Sequence, residues 1–103
     1  MRTLHKVCDA EDLQPGQGRT FSVEGRSIAL FNVDGKYYAI EDECTHEGGP
    51  LGEGLLRGTH VLCPWHGAEF DVTTGAVLSP PADFAVSTFP VVVEAGEVKV
   101  ELP

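Results

Sequence analysis

Short β-rich runs of apolar residues recur along the chain, cut at short intervals by glycine turns. Residues 4–8 alternate as a first strand, and residues 9–18 form a polar loop marked by Pro15-Gly16. Residues 21–23 and 27–33 flank Glu24-Gly25-Arg26, which predicts a tight hairpin. Asp34-Gly35 then joins residues 28–33 to 37–40, the strongest hairpin signal in the sequence. Tyr37 and Tyr38 fall in that second strand.

The texture changes after Ile40. Residues 41–54 are rich in glycine and acids, whereas Leu55-Leu56 and residues 60–62 can pair across Arg57-Gly58. Residues 69–72 and 76–78 predict a further hairpin around Thr73-Thr74-Gly75. Ser79-Pro80-Pro81-Ala82 cannot continue a ladder, because proline has no amide to donate. Two closing strands, residues 87–94 and 97–102, meet at Ala95-Gly96. No window sustains a 3.6-residue period; residues 10–13 suggest only a short helical turn. The pattern predicts an all-β fold of small antiparallel sheets. Its 103 residues suit a single domain, 1–103, in which residues 41–82 are inserted into a base made of 1–40 and 83–103.

Charge sharpens this division. The formal net charge is −9. Residues 1–36 balance five Lys/Arg against five Asp/Glu, but from 37 to 98 Arg57 alone faces ten carboxylates. A field of that sign repels nucleic acid and anionic membrane and steers toward basic protein surfaces. No apolar run approaches the ~18 residues needed to cross a bilayer, and Met1-Arg2-Thr3-Leu4-His5-Lys6 contains no signal-peptide core. The expected location is the cytoplasm. Three cysteines are an odd count, which argues against a disulfide framework; Cys8 reads as a small buried side chain of the first strand.

The candidate chemistry lies in the insertion. Cys44-Thr45-His46 and Cys63-Pro64-Trp65-His66 give C-x-H-x16-C-x2-H. Soft thiolates with imidazoles select zinc or an iron–sulfur centre over magnesium or calcium. Structural zinc usually takes its cysteines and histidines as separate pairs, whereas here each loop mixes one of each. Mixed pairs suit a binuclear centre in which one iron takes both thiolates and the other both imidazoles. A zinc-bound interaction module is the alternative. His5 and His60 fall in predicted strands and read as ordinary strand histidines.

These residues, with Gly67 closing the second motif and Pro80-Pro81 beyond it, resemble the Rieske family signature. The likeness extends over nearly the whole chain. It implies one [2Fe–2S] cluster held by Cys44, His46, Cys63 and His66. Rieske proteins of cytochrome complexes add a cysteine to each loop, forming a disulfide; the matching positions here are Gly49 and Trp65. Serine and tyrosine hydroxyls that bond the cluster sulfurs in high-potential members are matched by Ala68 and Phe70, neither of which can donate. The resemblance therefore implies a low-potential centre. Neutral imidazoles make the His46/His66 iron the easier one to reduce. In the family those histidines reach the surface, so partners are expected to dock near them, with Leu51, Trp65 and Pro80-Pro81 as an apolar rim.

Within the family the chain is most similar to small ferredoxins of bacterial ring-hydroxylating dioxygenases. That likeness implies a monomeric electron carrier, not an enzyme, between a flavoprotein reductase and a terminal oxygenase. A small subunit of an assimilatory nitrite reductase is the second reading. Catalytic Rieske oxygenases add a mononuclear iron on two histidines and a carboxylate, and His5 and His60 in separate strands do not supply it.

Overall fold

The computed structural model describes residues 3–43, 50–65, 67–79 and 85–102. Eleven strands among them form three antiparallel sheets. The first sheet joins β1 (Thr3–Asp9), β11 (Glu97–Leu102) and β10 (Val91–Glu94), with β11 in the middle. The second runs in the order β2 (Gly18–Val23), β3 (Arg26–Val33), β4 (Lys36–Glu41), β9 (Thr88–Phe89). The third is a meander of β5 (Leu55–Arg57), β6 (His60–Leu62), β7 (Glu69–Asp71) and β8 (Val77–Ser79). No helix among the described residues is long and apolar enough to cross a membrane.

The second sheet is the middle layer, and β3 shows why. Its run Ile28-Ala29-Leu30-Phe31 is fully buried, so successive side chains enter two different cores. Ile28 and Leu30 point into one shared with Cys8, Leu13 and Val98. Ala29 and Phe31 point into the other, with Ile40, Val61 and Phe70. β4 divides in the same way: Tyr37 and Ala39 serve the first core, Tyr38 and Ile40 the second.

Asp34-Gly35 makes the expected two-residue turn, with φ of 52° and 93°, the left-handed pair that a type I′ hairpin needs. Glu24-Gly25 and Ala95-Gly96 repeat it. Arg26 therefore belongs to a strand, paired with Val23, and not to the turn. The helical turn expected at residues 10–13 is a 3-10 turn, Ala10–Asp12.

The strand expected over residues 87–94 is two strands. Thr88 and Phe89 pair with Ile40 and Ala39 of β4, and beyond Pro90 the chain crosses to pair with β11. Proline offers no amide to either ladder; its carbonyl accepts the Glu101 amide at 2.9 Å. Two smaller boundaries also move. Arg57 pairs with His60, which places the β5–β6 turn at Gly58-Thr59, and β8 starts at Val77 with a bulge against β7. A second 3-10 turn, Leu51–Glu53, lies in what the sequence presents as loop.

Gly75 fixes the third sheet to the segment leading into β9. Its amide donates to the Asp71 carbonyl at 2.7 Å, and its carbonyl accepts the Val86 amide at 2.9 Å. With φ of +79°, a Cβ there would lie 2.1 Å from the Val86 carbonyl oxygen. Only glycine fits this contact.

Candidate metal centre

Both candidate loops leave the fold between atoms tied together by backbone bonds. The first is closed at its neck by Asp42. The Leu51 amide donates to the Asp42 carbonyl at 2.6 Å, and Glu43 bridges to Pro50 in antiparallel register. The Gly52 amide and the Thr20 hydroxyl both donate to Oδ1 of Asp42 at 2.8 Å. The segment between Glu43 and Pro50 carries Cys44 and His46. These two lie outside the described residues, with Gly48, Gly49, His66, Pro80 and Pro81.

The second loop is the connection between β6 and β7. The Cys63 amide donates to the Ala68 carbonyl at 2.7 Å, and the Gly67 amide donates back to the Cys63 carbonyl at 3.1 Å. Gly67 has φ of +73°, the left-handed conformation that lets so short a loop reverse. Pro64 and Trp65 project from it; Trp65 is 55% exposed.

Cys63 itself is 4% exposed and shares the second core with Leu51, Val61, Ala68 and Phe70. A soft sulfur donor is thus held at the base of a glycine-turned loop among apolar side chains. This suits a thiolate-bound metal group, which neutralises the charge that burial would otherwise penalise. Cys8 differs: it is also free and buried, but it sits in the other core. Burial, then the nearby Asp12 carboxylate, pushes its thiol pKa up, which keeps it protonated.

One rim residue proposed from sequence is misplaced. Leu51 is fully buried in the second core. Pro50 and Gly52 bracket it, and the 3-10 turn rotates its side chain inward. The two remaining histidines have partners elsewhere. His5 meets the Thr3 hydroxyl at 2.7 Å and Glu24 at 3.6 Å. His60 Nδ1 lies 2.6 Å from Glu69 across the β6–β7 ladder.

The carboxylates divide into two groups. Asp42 is buried and bonded as described. Glu41 accepts the Ser87 amide at 2.8 Å, and Glu69 pairs with His60. Asp71 accepts the Thr73 hydroxyl at 2.6 Å and the Thr73 amide at 2.8 Å. Burial alone would raise the Asp71 pKa, but the Thr73 bonds, His60 and the Thr74 amide outweigh it and hold the carboxyl below its ordinary 3.8. Glu43 and Glu53 remain exposed beside the first loop's neck. Among the described residues, Glu41, Asp42, Glu69 and Asp71 are thus held by bonds within the fold, whereas Glu43 and Glu53 are free to act on a partner.

Residues 3–90 match the family model of the Rieske [2Fe-2S] domain. The chain belongs to this family. Its cofactor is accordingly an iron–sulfur group of Rieske type, which replaces zinc as the reading of the mixed Cys/His pairs. The chain is 43% identical to the ferredoxin CarAc of Metapseudomonas resinovorans over 92% of its own length and 90% of that protein. It is 37% identical to the biphenyl dioxygenase ferredoxin subunit of Pseudomonas sp. (strain KKS102), over 96% of this chain and 92% of that one. A chain in the solved complex of reduced oxygenase and oxidized ferredoxin in carbazole 1,9a-dioxygenase superposes with a TM-score of 0.89. It is 42% identical, covering 94% of this chain and 91% of its counterpart. The Rieske chain described here is thus similar, end to end, to ferredoxin components of dioxygenase systems.

Proposed function

We propose that this Rieske protein is a one-electron carrier that takes electrons from a flavoprotein reductase and delivers them to a terminal oxygenase. The observation that carries the reading is the likeness over nine-tenths of both chains to ferredoxin components, one of them in a complex with its oxygenase. It favours a carrier over a nitrite reductase subunit. The carrier is a soluble cytoplasmic monomer. It is one Rieske domain whose residues 41–82 bear the cluster on a base of 1–40 and 83–103.

Cys44 and Cys63 hold one iron and His46 and His66 the other, in a single [2Fe–2S] cluster that supplies a reversible one-electron change. The protein's own part is to fix two loops, exclude water from the thiolate side, and present the imidazole side to partners. Trp65, projecting beside Cys63-Pro64, gives that face an apolar contact. Glu43 and Glu53 give it negative charge toward a basic partner surface.

The potential is low. Ala68 and Phe70 are both fully buried in the second core, and neither side chain can donate to sulfur. Without such bonds the reduced, more negative cluster is less stabilised. Potentiometry should give a midpoint near the roughly −150 mV end of the Rieske range, and a value well above zero overturns this. Ala68→Ser with Phe70→Tyr should raise it. The carrier role is tested by mixing the reduced protein with an oxygenase of this class and following single-turnover reoxidation by absorbance. Reoxidation that slows as salt rises supports steering by the acidic face; no reoxidation at any salt overturns the role.

A further inference from the structure

We infer that Asp42 is a positioning residue for the first ligand loop, holding Cys44 and His46 in place by fastening both ends of their loop to the middle sheet. The inference rests on the reading of those two residues as cluster ligands. Asp42 is 5% exposed; with Asn32 it makes up the buried polar side chains among the described residues. Its four bonds among the described residues divide evenly. Toward the sheet, its amide donates to the Ser27 carbonyl of β3 at 3.2 Å, and its Oδ1 accepts the Thr20 hydroxyl of β2 at 2.8 Å. Toward the returning chain, its carbonyl accepts the Leu51 amide at 2.6 Å and the same Oδ1 accepts the Gly52 amide at 2.8 Å. One carboxylate oxygen thus binds β2 to the far end of the loop.

The packing around this bond leaves little freedom. A Cβ on Gly52 would fall 2.4 Å from the Thr20 hydroxyl and 2.6 Å from the Thr20 amide nitrogen. The backbone at Gly52 is therefore pressed against β2, and the absence of a side chain is what lets its amide reach Asp42. Leu51, fully buried in the second core, anchors the same turn from below. A loop whose departure and return are fixed at one point loses most of its freedom to splay. Hydrogen bonds to a carboxylate are stronger than neutral ones, so a single buried acid can do this in place of a longer ladder.

The test measures iron release to a chelator, reduced-state EPR and midpoint potential on the full chain. Asp42→Ala should release iron about tenfold faster and broaden or shift the EPR g-values. Thr20→Val, which keeps volume and loses the donor, should release it about threefold faster, and Thr20→Ser should restore the native rate. Asp42→Asn keeps an accepting oxygen and removes the charge, so its midpoint should rise with g-values unchanged. Val98→Ala, in the other core, controls for general loosening and should release iron at the native rate. The idea is overturned if Thr20→Val behaves like the native protein, or if Val98→Ala accelerates release as much as the Asp42 and Thr20 variants. Should Asp42→Ala not fold, the Thr20 pair decides. A native protein with no Rieske EPR signal would instead refute the ligand assignment, leaving the Asp42 bonds as they stand.

Discussion

The base sandwich and the outer sheet solve the same problem with different means. In the base, β1 to β4 and β11 run six to eight residues each, and the β2–β3, β3–β4 and β10–β11 ladders close at two-residue turns. In the outer sheet, all four strands are three residues long. So few ladder bonds give little stability of their own. This sheet depends on the second core, where Phe70, Val61 and Val72 pack against Phe31 and Ile40 of the middle layer. It depends also on point contacts such as that at Gly75. The long ladders fix a platform, and the short sheet serves as a mount for the loop that carries Cys63. Redox sites benefit from such a division, because loops can take the shape the ligands need while the platform limits how far they move.

The largest test of this division is Phe70→Ala. Removing a fully buried aromatic should cost about 3–5 kcal/mol. The loss should be local. Hydrogen exchange should show protection falling across β5 to β8 while β1 and β11 keep theirs. Equal loss in both sheets would mean that the two halves unfold as one unit and the contrast is false.

Gly75→Ala probes the contact between the outer sheet and the segment entering β9. Its Cβ would collide with the Val86 carbonyl in a backbone conformation that alanine resists, at a cost of about 2 kcal/mol. The thermal midpoint should fall accordingly. An unchanged midpoint would show that the segment at Val86 gives way freely and does not tie the two halves.

The smallest effect is electrostatic. Asp71 has its carboxyl pKa held below 3.8, with the Thr73 bonds overcoming burial. A depressed folded pKa stabilises the fold above the unfolded value, and that contribution is lost as pH falls through the folded one. Asp71→Asn should therefore be less stable near neutrality and less sensitive to acid below the ordinary aspartate range. If native and variant proteins show parallel acid-unfolding curves, the turn at Asp71 contributes nothing particular to the mount.

Much of this was legible in the sequence where local rules dominate. Asp34-Gly35 gives its hairpin directly, and the apolar run of β3 announces a strand buried on both faces. The motifs Cys44-Thr45-His46 and Cys63-Pro64-Trp65-His66 carry the Rieske resemblance, and the family match over residues 3–90 supports it. Pro90 could also have been read as the break between two strands, since a missing amide is a property of the residue alone. Other features had no such signal. Leu51 looks like a rim residue because its neighbours are proline, glycine and acids, yet the turn buries it completely.

Opening motifs, hairpins and the alternation of faces were settled by chain chemistry, because they depend on neighbours a few residues apart. Thr20, Asp42 and Gly52 were brought together only by tertiary structure. They are spread over thirty-three residues, and Asp42 is one acid among ten between residues 37 and 98. Which of those acids is buried depends on where β2 passes, and that is decided by packing. The stretch between Cys44 and His66 thus names the metal chemistry, while the fold decides which acid is buried at the neck of its first loop.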